Sequence, residues 1–428
     1  MITPRIDGAA LLADLHRTAQ IGATAEGGIC RLTLSPEDAE VRAWLARQVK
    51  DLGGDLHLDR IGNMFAHFPG TDVDLAPLGF GSHLDTQPTG GRYDGILGVL
   101  AGLAAVRALQ AAGRSTRHPL CLVNWTNEEG ARFAPTMLGS GVHSGTYALE
   151  DMRAATDRSG TFLGDALDAL QLAGATEPGE TVLAAWLELH IEQGPVLERT
   201  GRRAAAVTGV QGLRWYELTL SGCSAHAGTT PREDRRDAFL EAARLALAVD
   251  KIAAEEGGLA TFGEIAIPNA SRNVVPGRVA LSIDLRHVET AGLDQMEARL
   301  RDLVDAVRPG IKARLTPVFG NRPTKFAPEV IAAVEGAMSD EGLPAFSMVS
   351  GAGHDAVNLA TITPTAMIFV PSRGGLSHNP AEFTADEDCV LGAQLLLNAV
   401  LRLDRGGALP QGAKRLTMSN PASPALAR

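Results

Sequence analysis

Residues 78–125 read LGFGSHLDTQPTGGRYDGILGVLAGLAAVRALQAAGRSTRHPLCLVNW. The run Leu78–His83 is a short strand, apolar until it reaches its serine and histidine. A glycine-marked loop follows, and from Asp94 to Ala112 the residues Ile96, Leu97, Leu100, Leu103, Val106 and Leu109 recur at helical spacing. Leu120–Trp125 is then a second, buried strand. A strand, a helix of this length and another strand imply parallel neighbours joined by a crossover. The expected class is therefore α/β, a mainly parallel sheet with helices on both faces, whose site lies in the loops at the carboxyl ends of the strands.

Working outward, Ser35-Pro36-Glu37-Asp38 opens a helix that runs to about Gly53: a serine cap, proline at the first helical position, and acids facing the dipole. Short strands are expected within Asp55–Phe68, and Met1–Ala23 reads as an amphipathic helix. Near Gly212 the pattern changes to strand (Leu213–Ser221), helix (Arg236–Glu256), strand (Thr261–Ile267), strand (Arg278–Arg286), helix (Gly292–Val307) and strand (Lys312–Phe319). That βαββαβ order describes a small α+β sandwich able to fold as an insertion. Within Arg278–Arg286, Val279, Leu281, Ile283 and Leu285 alternate with Ala280, Ser282, Asp284 and Arg286, so one face is buried and Arg286 projects from the other. Afterwards the helix-and-strand alternation returns through Pro328–Met338, Thr365–Val370 and Asp386–Leu403. We therefore expect residues 1–212 and 325–405 to form one discontinuous domain, 213–324 an inserted one, and 406–428, rich in Pro, Ala, Gly and Ser, a loose tail.

Composition narrows the class. A chain of 428 residues exceeds the usual single core, consistent with two domains. With 45% hydrophobic and 21% charged residues, and no apolar run of spanning length, neither a membrane protein nor a disordered one is expected. The net charge of −11 argues against non-specific nucleic-acid binding. The amino terminus lacks the apolar block of a secretory signal, so a cytoplasmic protein is expected. Cys30, Cys121, Cys223 and Cys389 lie far apart without a CxxC pair, which points to reduced thiols rather than disulfides or thiolate zinc.

Five segments carry His, Asp or Glu after a strand-like run or in a glycine-marked loop: Gly81–Thr86, Gly91–Gly95, Asn127–Gly130, Leu189–Gly194 and Ser377–Pro380. Taken singly, each is more often a surface or satisfied core feature than a ligand. Five of them in the loops of one α/β pattern point to a shared cleft. Imidazole nitrogen and carboxylate oxygen suit zinc, and two ions about 3.5–4 Å apart sharing a carboxylate would activate water near neutral pH. Asp94, just before a helix and beside Gly90, Gly91 and Gly95, is the natural bridge. Glu128 and Glu129 point different ways along the backbone, so one can ligate while the other acts as a base. His16, His57, His67, His118, His143 and His287 lack such a context and are expected to be structural.

The sequence resembles the hydantoinase/carbamoylase branch of the dinuclear zinc aminoacylase/peptidase superfamily, which includes N-carbamoyl-L-amino acid hydrolases, β-ureidopropionases and allantoate amidohydrolases. The resemblance rests on GSHLDTQPTGGRYDGILGVLAG (81–102), NWTNEEGARFAPTMLGSG (124–141), LELHIEQGPVLE (187–198), SGCSAHAGTTPREDRRDA (221–238), SRNVVPG (271–277), GAGHDA (351–356) and SHNPAEFT (377–384). It implies one divalent ion on His83, His190 and Asp94, another on Glu129, His378 and the same Asp94, and Glu128 as general base. The ions would be zinc, with manganese, cobalt or nickel as substitutes. The resemblance further implies that the insertion is a lid and dimerisation domain, that His226 polarises the scissile carbonyl in a neighbouring active site, and that Gln193, Asn273, Arg286 and His354 hold the substrate. Arg286 offers a planar fork for a carboxylate, although pairing with Asp284 is an alternative for it, and for His354 a structural hydrogen bond is one. The implied reaction takes an N-carbamoyl-β-alanine or N-carbamoyl-L-amino acid to amino acid, carbon dioxide and ammonia, in a homodimer. Allantoate hydrolysis is the alternative; a peptidase is disfavoured by His190, and a non-catalytic carboxylate-binding protein by the retained Glu128.

Overall fold

A computed structural model describes residues 4–406, so the tail expected beyond Gly406 lies outside the described residues. The chain divides into two compact units, one made of the segments up to Gly209 and from Lys325 onward, the other of Val210–Thr324.

The first unit is built on a sheet ordered Asp55–Leu58, Met64–Phe68, Leu120–Trp125, Leu78–His83, Ala185–Ile191, Thr365–Val370 and Ala205–Val210, with Ser347–Ser350 also pairing with the last of these. The four central strands, 120–125, 78–83, 185–191 and 365–370, are parallel. Antiparallel strands flank them on both sides. Every residue of those four strands is buried. Helices therefore cover both faces, which is why their sequences run apolar rather than alternating. The Asp55–Phe68 stretch is a hairpin, and Ser347–Ser350 and Ala205–Val210 are strands that the apolar pattern left unread.

The first-unit helices start where their sequences provide a start. Ser35 Oγ accepts the Asp38 N–H at 3.2 Å and opens Pro36–Asp51. The amino-terminal helix is shorter than expected, Gly8–Thr18, because Asp7 caps it by accepting the Ala10 N–H. The helix expected from Asp94 begins instead at Ile96, since Gly95 has φ +68° and cannot continue an α-helix. Asp94 is thereby left in the loop, at the carboxyl end of the sheet.

The second unit is an antiparallel sheet ordered Ile265–Ala266, Arg278–His287, Gly212–Ser221 and Lys312–Asn321, with Leu259–Thr261 also pairing with Arg278–His287. Helices Ala238–Glu256 and Thr290–Asp305 cover one face, burying Tyr216, Leu218, Leu220, Val279, Leu281, Ile283 and Leu285. The strand expected over Thr261–Ile267 is split into two short pieces. A separate ribbon pairs Ala225–His226 with Val274–Val275.

Candidate metal centre

Three parallel strands deliver the first ligands. His83 ends one, His190 lies near the end of the next, and Glu128 and Glu129 follow the third. His83 Nδ1 lies 3.0 Å from the Asp85 carbonyl and His190 Nδ1 lies 2.8 Å from the Ile191 carbonyl. Each Nδ1–H donates to that oxygen, so each Nε2 presents its lone pair, the arrangement usual for ligating histidines. The two Nε2 atoms lie 3.7 and 3.1 Å from Asp94 Oδ1.

The other Asp94 oxygen faces a second set. His378 Nε2 lies 3.4 Å from Asp94 Oδ2 and 3.3 Å from Glu129 Oε2. His83, Asp94 and His190 thus form one triad able to hold a metal ion, and Asp94, Glu129 and His378 another. Asp94 belongs to both, one oxygen turned to each. Glu128 stands beside the first set, its Oε2 3.6 Å from His83 Nε2. A third group, Glu188, His190 and His354, shares His190 but lies deeper, all three buried.

Two acids, Asp85 and Glu382, aim these groups, helped by Ser377 and Asn63. Asp85 accepts the Glu128 N–H through Oδ1 at 3.2 Å and the Glu129 N–H through Oδ2 at 3.3 Å. Glu382 Oε1 accepts the Tyr93 and Asp94 N–H groups at 3.0 and 3.1 Å, and a Cβ on Gly91 would come within 2.1 Å of its carboxylate. Ser377 donates to both Asp94 Oδ2 and Glu382 Oε2. The loop bearing Glu128 and Glu129 is held from below by Asn63, which accepts the Thr126 N–H and donates to the Gly139 carbonyl. Both acids lie in stretches that carry the resemblance, Asp85 two residues after His83 and Glu382 four residues after His378, so those short offsets from a ligating histidine were the signal for each, while the backbone groups they hold became visible only in the folded chain.

Strain gathers at the same place. Asn127, Met137, Gln193 and His378 all have φ between 51° and 58°, in the left-handed region that non-glycine residues seldom occupy. Three of them, Met137, Gln193 and His378, line a cleft of about 190 Å³ together with Gln87, Asp94, Glu128, Glu129, His190 and His354.

The electrostatics are those of too many acids in a dry place. Burial first, then the charges of Asp355, Glu129, Asp85 and Asp94, pushes Glu128 well above the ordinary carboxylate range. Burial and Asp94 push Glu129 up to about 8. Asp94 goes the other way: burial would raise it, but the imidazoles of His190, His378 and His83 set against it hold it well below the usual value. His378, bonded to Asp94, is raised to about 9. Such a surplus of buried carboxylate with imidazole lone pairs turned inward is what divalent cations stabilise, and the donor set fits them.

The remaining expected residues fall in different settings. Gln193 Nε2 donates to Asp94 Oδ2 at 2.9 Å and to Ser377 Oγ at 3.1 Å, placing it against the bridging carboxylate. His354 is buried, its Nε2 3.0 Å from Ser350 Oγ and its ring edge-on to His190 at 4.5 Å; the hydrogen bond to Ser350 is structural, while the residue also lines the cleft. In the second unit, His226 is exposed and its Nδ1 accepts the Gly228 and Thr229 N–H groups, both at 3.1 Å, so its Nε2 is the donor turned outward. Asn273 accepts from Ser271 Oγ through Oδ1. Arg286 is paired with Asp284, Nε to Oδ2 at 2.9 Å. His143 is a core residue packed on Phe65 and Trp125. The four cysteines are all free. No helix among the described residues is long and apolar enough to cross a membrane.

Comparison with known proteins places the chain in a family. Residues 79–402 match the model of peptidase family M20/M25/M40. An N-carbamoyl-L-amino-acid amidohydrolase of Rhizobium meliloti is 42% identical over 93% of this chain and 96% of its own. An allantoate amidohydrolase of Bacillus subtilis is 35% identical over 90% of this chain and 95% of its own. Among solved structures, a hydantoinase/carbamoylase family amidase from Burkholderia ambifaria superposes with a TM-score of 0.90 at 44% identity, covering 97% of this chain and all of that one. Sequence and fold therefore place the chain in peptidase family M20/M25/M40, in its hydantoinase/carbamoylase branch.

Proposed function

We propose that this protein hydrolyses the ureido bond of an N-carbamoyl amino acid, releasing the amino acid, carbon dioxide and ammonia. The observation that carries the reading is Asp94 set between two ligand triads with Glu128 beside the first. Its relatives in Rhizobium meliloti and Geobacillus stearothermophilus, at 42% and 36% identity, are N-carbamoyl-L-amino acid amidohydrolases.

In this reading His83, His190 and Asp94 hold one divalent ion, and Asp94, Glu129 and His378 the other, with zinc the preferred metal. Bound there, the ions supply Lewis-acid polarisation of a carbonyl and of water. That matters more for a ureido carbon than for an ester, because two nitrogens donate into it. Glu128 takes the proton of the attacking water and delivers it to the departing amine. Its raised proton affinity, set by burial and neighbouring acids, suits a group that must first accept and then give. The carbamate that leaves breaks down to carbon dioxide and ammonia. His226 donates to the developing oxyanion through Nε2–H, and Arg286, with Asn273 and Gln193, takes the substrate carboxylate. The second unit serves as lid and dimer contact in a homodimer, and the enzyme is cytoplasmic, in keeping with its free thiols.

Allantoate hydrolysis is the second reading, favoured by the 35%-identical relative that bears that name. The test is a panel of N-carbamoyl-L-amino acids, N-carbamoyl-β-alanine and allantoate, assayed for ammonia and free amine with the protein chelated and then reloaded with zinc or manganese. Release from N-carbamoyl amino acids that chelation abolishes and metal restores is expected. Turnover of allantoate alone, or turnover indifferent to chelation, would overturn the proposal.

A further inference from the structure

We propose that Glu382 is the positioning residue that builds the second cation site. The affinity for the ion on Asp94, Glu129 and His378, and not for the ion on His83, His190 and Asp94, then depends on a carboxylate that ligates neither. The inference rests on the two-ion reading above and extends it to how the second ion is held.

The two triads are not built alike. His83 and His190 lie at or near strand ends, their side chains only 1% exposed, and each Nδ1 is tied to a backbone carbonyl. Strand and carbonyl together fix those rings. His378 lies instead in a loop, with φ at +53° and its side chain 48% exposed. Asp94, which it must meet, lies in a different loop far away in the chain. The second triad therefore needs a tie between those two loops.

Glu382 is that tie. It is buried, and the Asn379 carbonyl accepts its N–H at 2.9 Å, so it belongs to the same tight turn as His378. Oε1 accepts the Tyr93 and Asp94 N–H groups at 3.0 and 3.1 Å, which holds the backbone of the bridging ligand. Oε2 lies 3.0 Å from Ser377 Oγ, which in turn lies 2.9 Å from Asp94 Oδ2, so the same carboxylate also sets how the Asp94 side chain is turned. Gln193 Nε2 closes the ring, donating to Ser377 Oγ and Asp94 Oδ2. Asp94 Oδ1 meets His190 and His83 on the other side, outside this ring.

Gly91 supplies an independent sign of the same design. Its φ is not left-handed, so backbone conformation does not require glycine there, yet a Cβ would come within 2.1 Å of the Glu382 carboxylate carbon and Oε1. The missing side chain is what lets the carboxylate reach the Tyr93 and Asp94 amides. Partners that orient metal ligands in this way are commonly worth 10–100-fold in metal affinity.

The experiment titrates metal-free wild type, Glu382→Ala, Glu382→Gln, Gly91→Ala and His378→Ala with Zn²⁺ in chelator buffers, counting bound ions by mass spectrometry and using Co²⁺ absorption as a second probe. Wild type should bind two ions per subunit, and His378→Ala marks a protein whose second site is removed. Glu382→Ala should hold the first ion as wild type does and bind the second about 10–100-fold more weakly, with a Co²⁺ spectrum approaching that of His378→Ala. Gly91→Ala should do the same with Glu382 still present. Glu382→Gln should restore the second ion, because its amide oxygen still accepts the two N–H groups and its amide N–H donates to Ser377. Thermal unfolding of the metal-free proteins is measured alongside, and if Glu382→Ala does not fold, Gly91→Ala decides. Both ions held at wild-type affinity, both weakened equally, or Glu382→Gln as weak as Glu382→Ala would overturn the inference. Those results in a wild type that binds two ions overturn this inference alone, whereas a wild type that binds one ion or none overturns the two-ion reading and this inference with it.

Discussion

Gly95→Ala tests the geometry of the ligand set more severely than removing a ligand. A Cβ at position 95 would meet His83 Cε1 at 2.3 Å and both its ring nitrogens at 2.4 Å. Ordinary contacts to carbon need roughly 3.5 Å, so about 1 Å must be found. The imidazole cannot yield easily, because it is buried and its Nδ1 is tied to the Asp85 carbonyl. The residue must also hold φ at +68°, which costs a non-glycine residue about 1–3 kcal/mol. A displacement of about 1 Å in a catalytic constellation lowers rate by roughly 100-fold. Gly113→Ala separates the two effects: its φ is +60°, but nothing lies within 4 Å of the new Cβ. We expect both variants to lose thermal stability, and only Gly95→Ala to lose bound metal and about 100-fold in kcat/KM. Metal content by mass spectrometry and steady-state kinetics read the result. Gly95→Ala with full metal and kcat/KM within about threefold of wild type would refute the placement of His83 against the Asp94 turn.

Three further outcomes are expected. Glu128→Gln should keep its metal yet lose about 10²–10⁴-fold in kcat, because the amide cannot carry the proton; substantial turnover at full metal loading would remove Glu128 as the base. Mixing inactive His226→Ala and Glu128→Gln subunits should restore part of the activity if His226 serves a neighbouring site, and no recovery after demonstrated subunit exchange would count against it. His143, buried and accepting the Gly179 N–H, is held down to about 4 by desolvation, against 6.5 when unfolded. Between those values the unfolded chain binds the extra proton, so stability is complete above pH 6.5 and falls as the pH drops toward 4, by about 2 kcal/mol at pH 5. Denaturant unfolding at pH 7 and pH 5 should show that loss diminished in His143→Gln; an equal loss in the variant would assign it to other groups.

The sequence by itself determined the alternation of buried strands and helices, the βαββαβ segment and the five polar segments, because each rests on local periodicity or on residue type beside a strand end. Arg286 on the solvent side of its strand was legible for the same reason: side-chain direction in a strand follows from parity alone. Tertiary structure decided what joins those pieces. Asp94 could be suspected as a bridge from its glycines, but that Oδ1 turns to His83 and His190 while Oδ2 turns to His378 depends on three loops far apart in the chain. Glu382, 288 residues from Asp94, carries no local mark of its bond to the Asp94 N–H. Nor could sequence say that Glu188 lies buried near enough to raise the proton affinity of Asp355, or that Phe319 meets Trp215 across a bulge. Local pattern fixes which way a side chain points along its own element; which other side chains it meets is set by how distant elements pack, and charge, metal affinity and specificity all depend on that second relation.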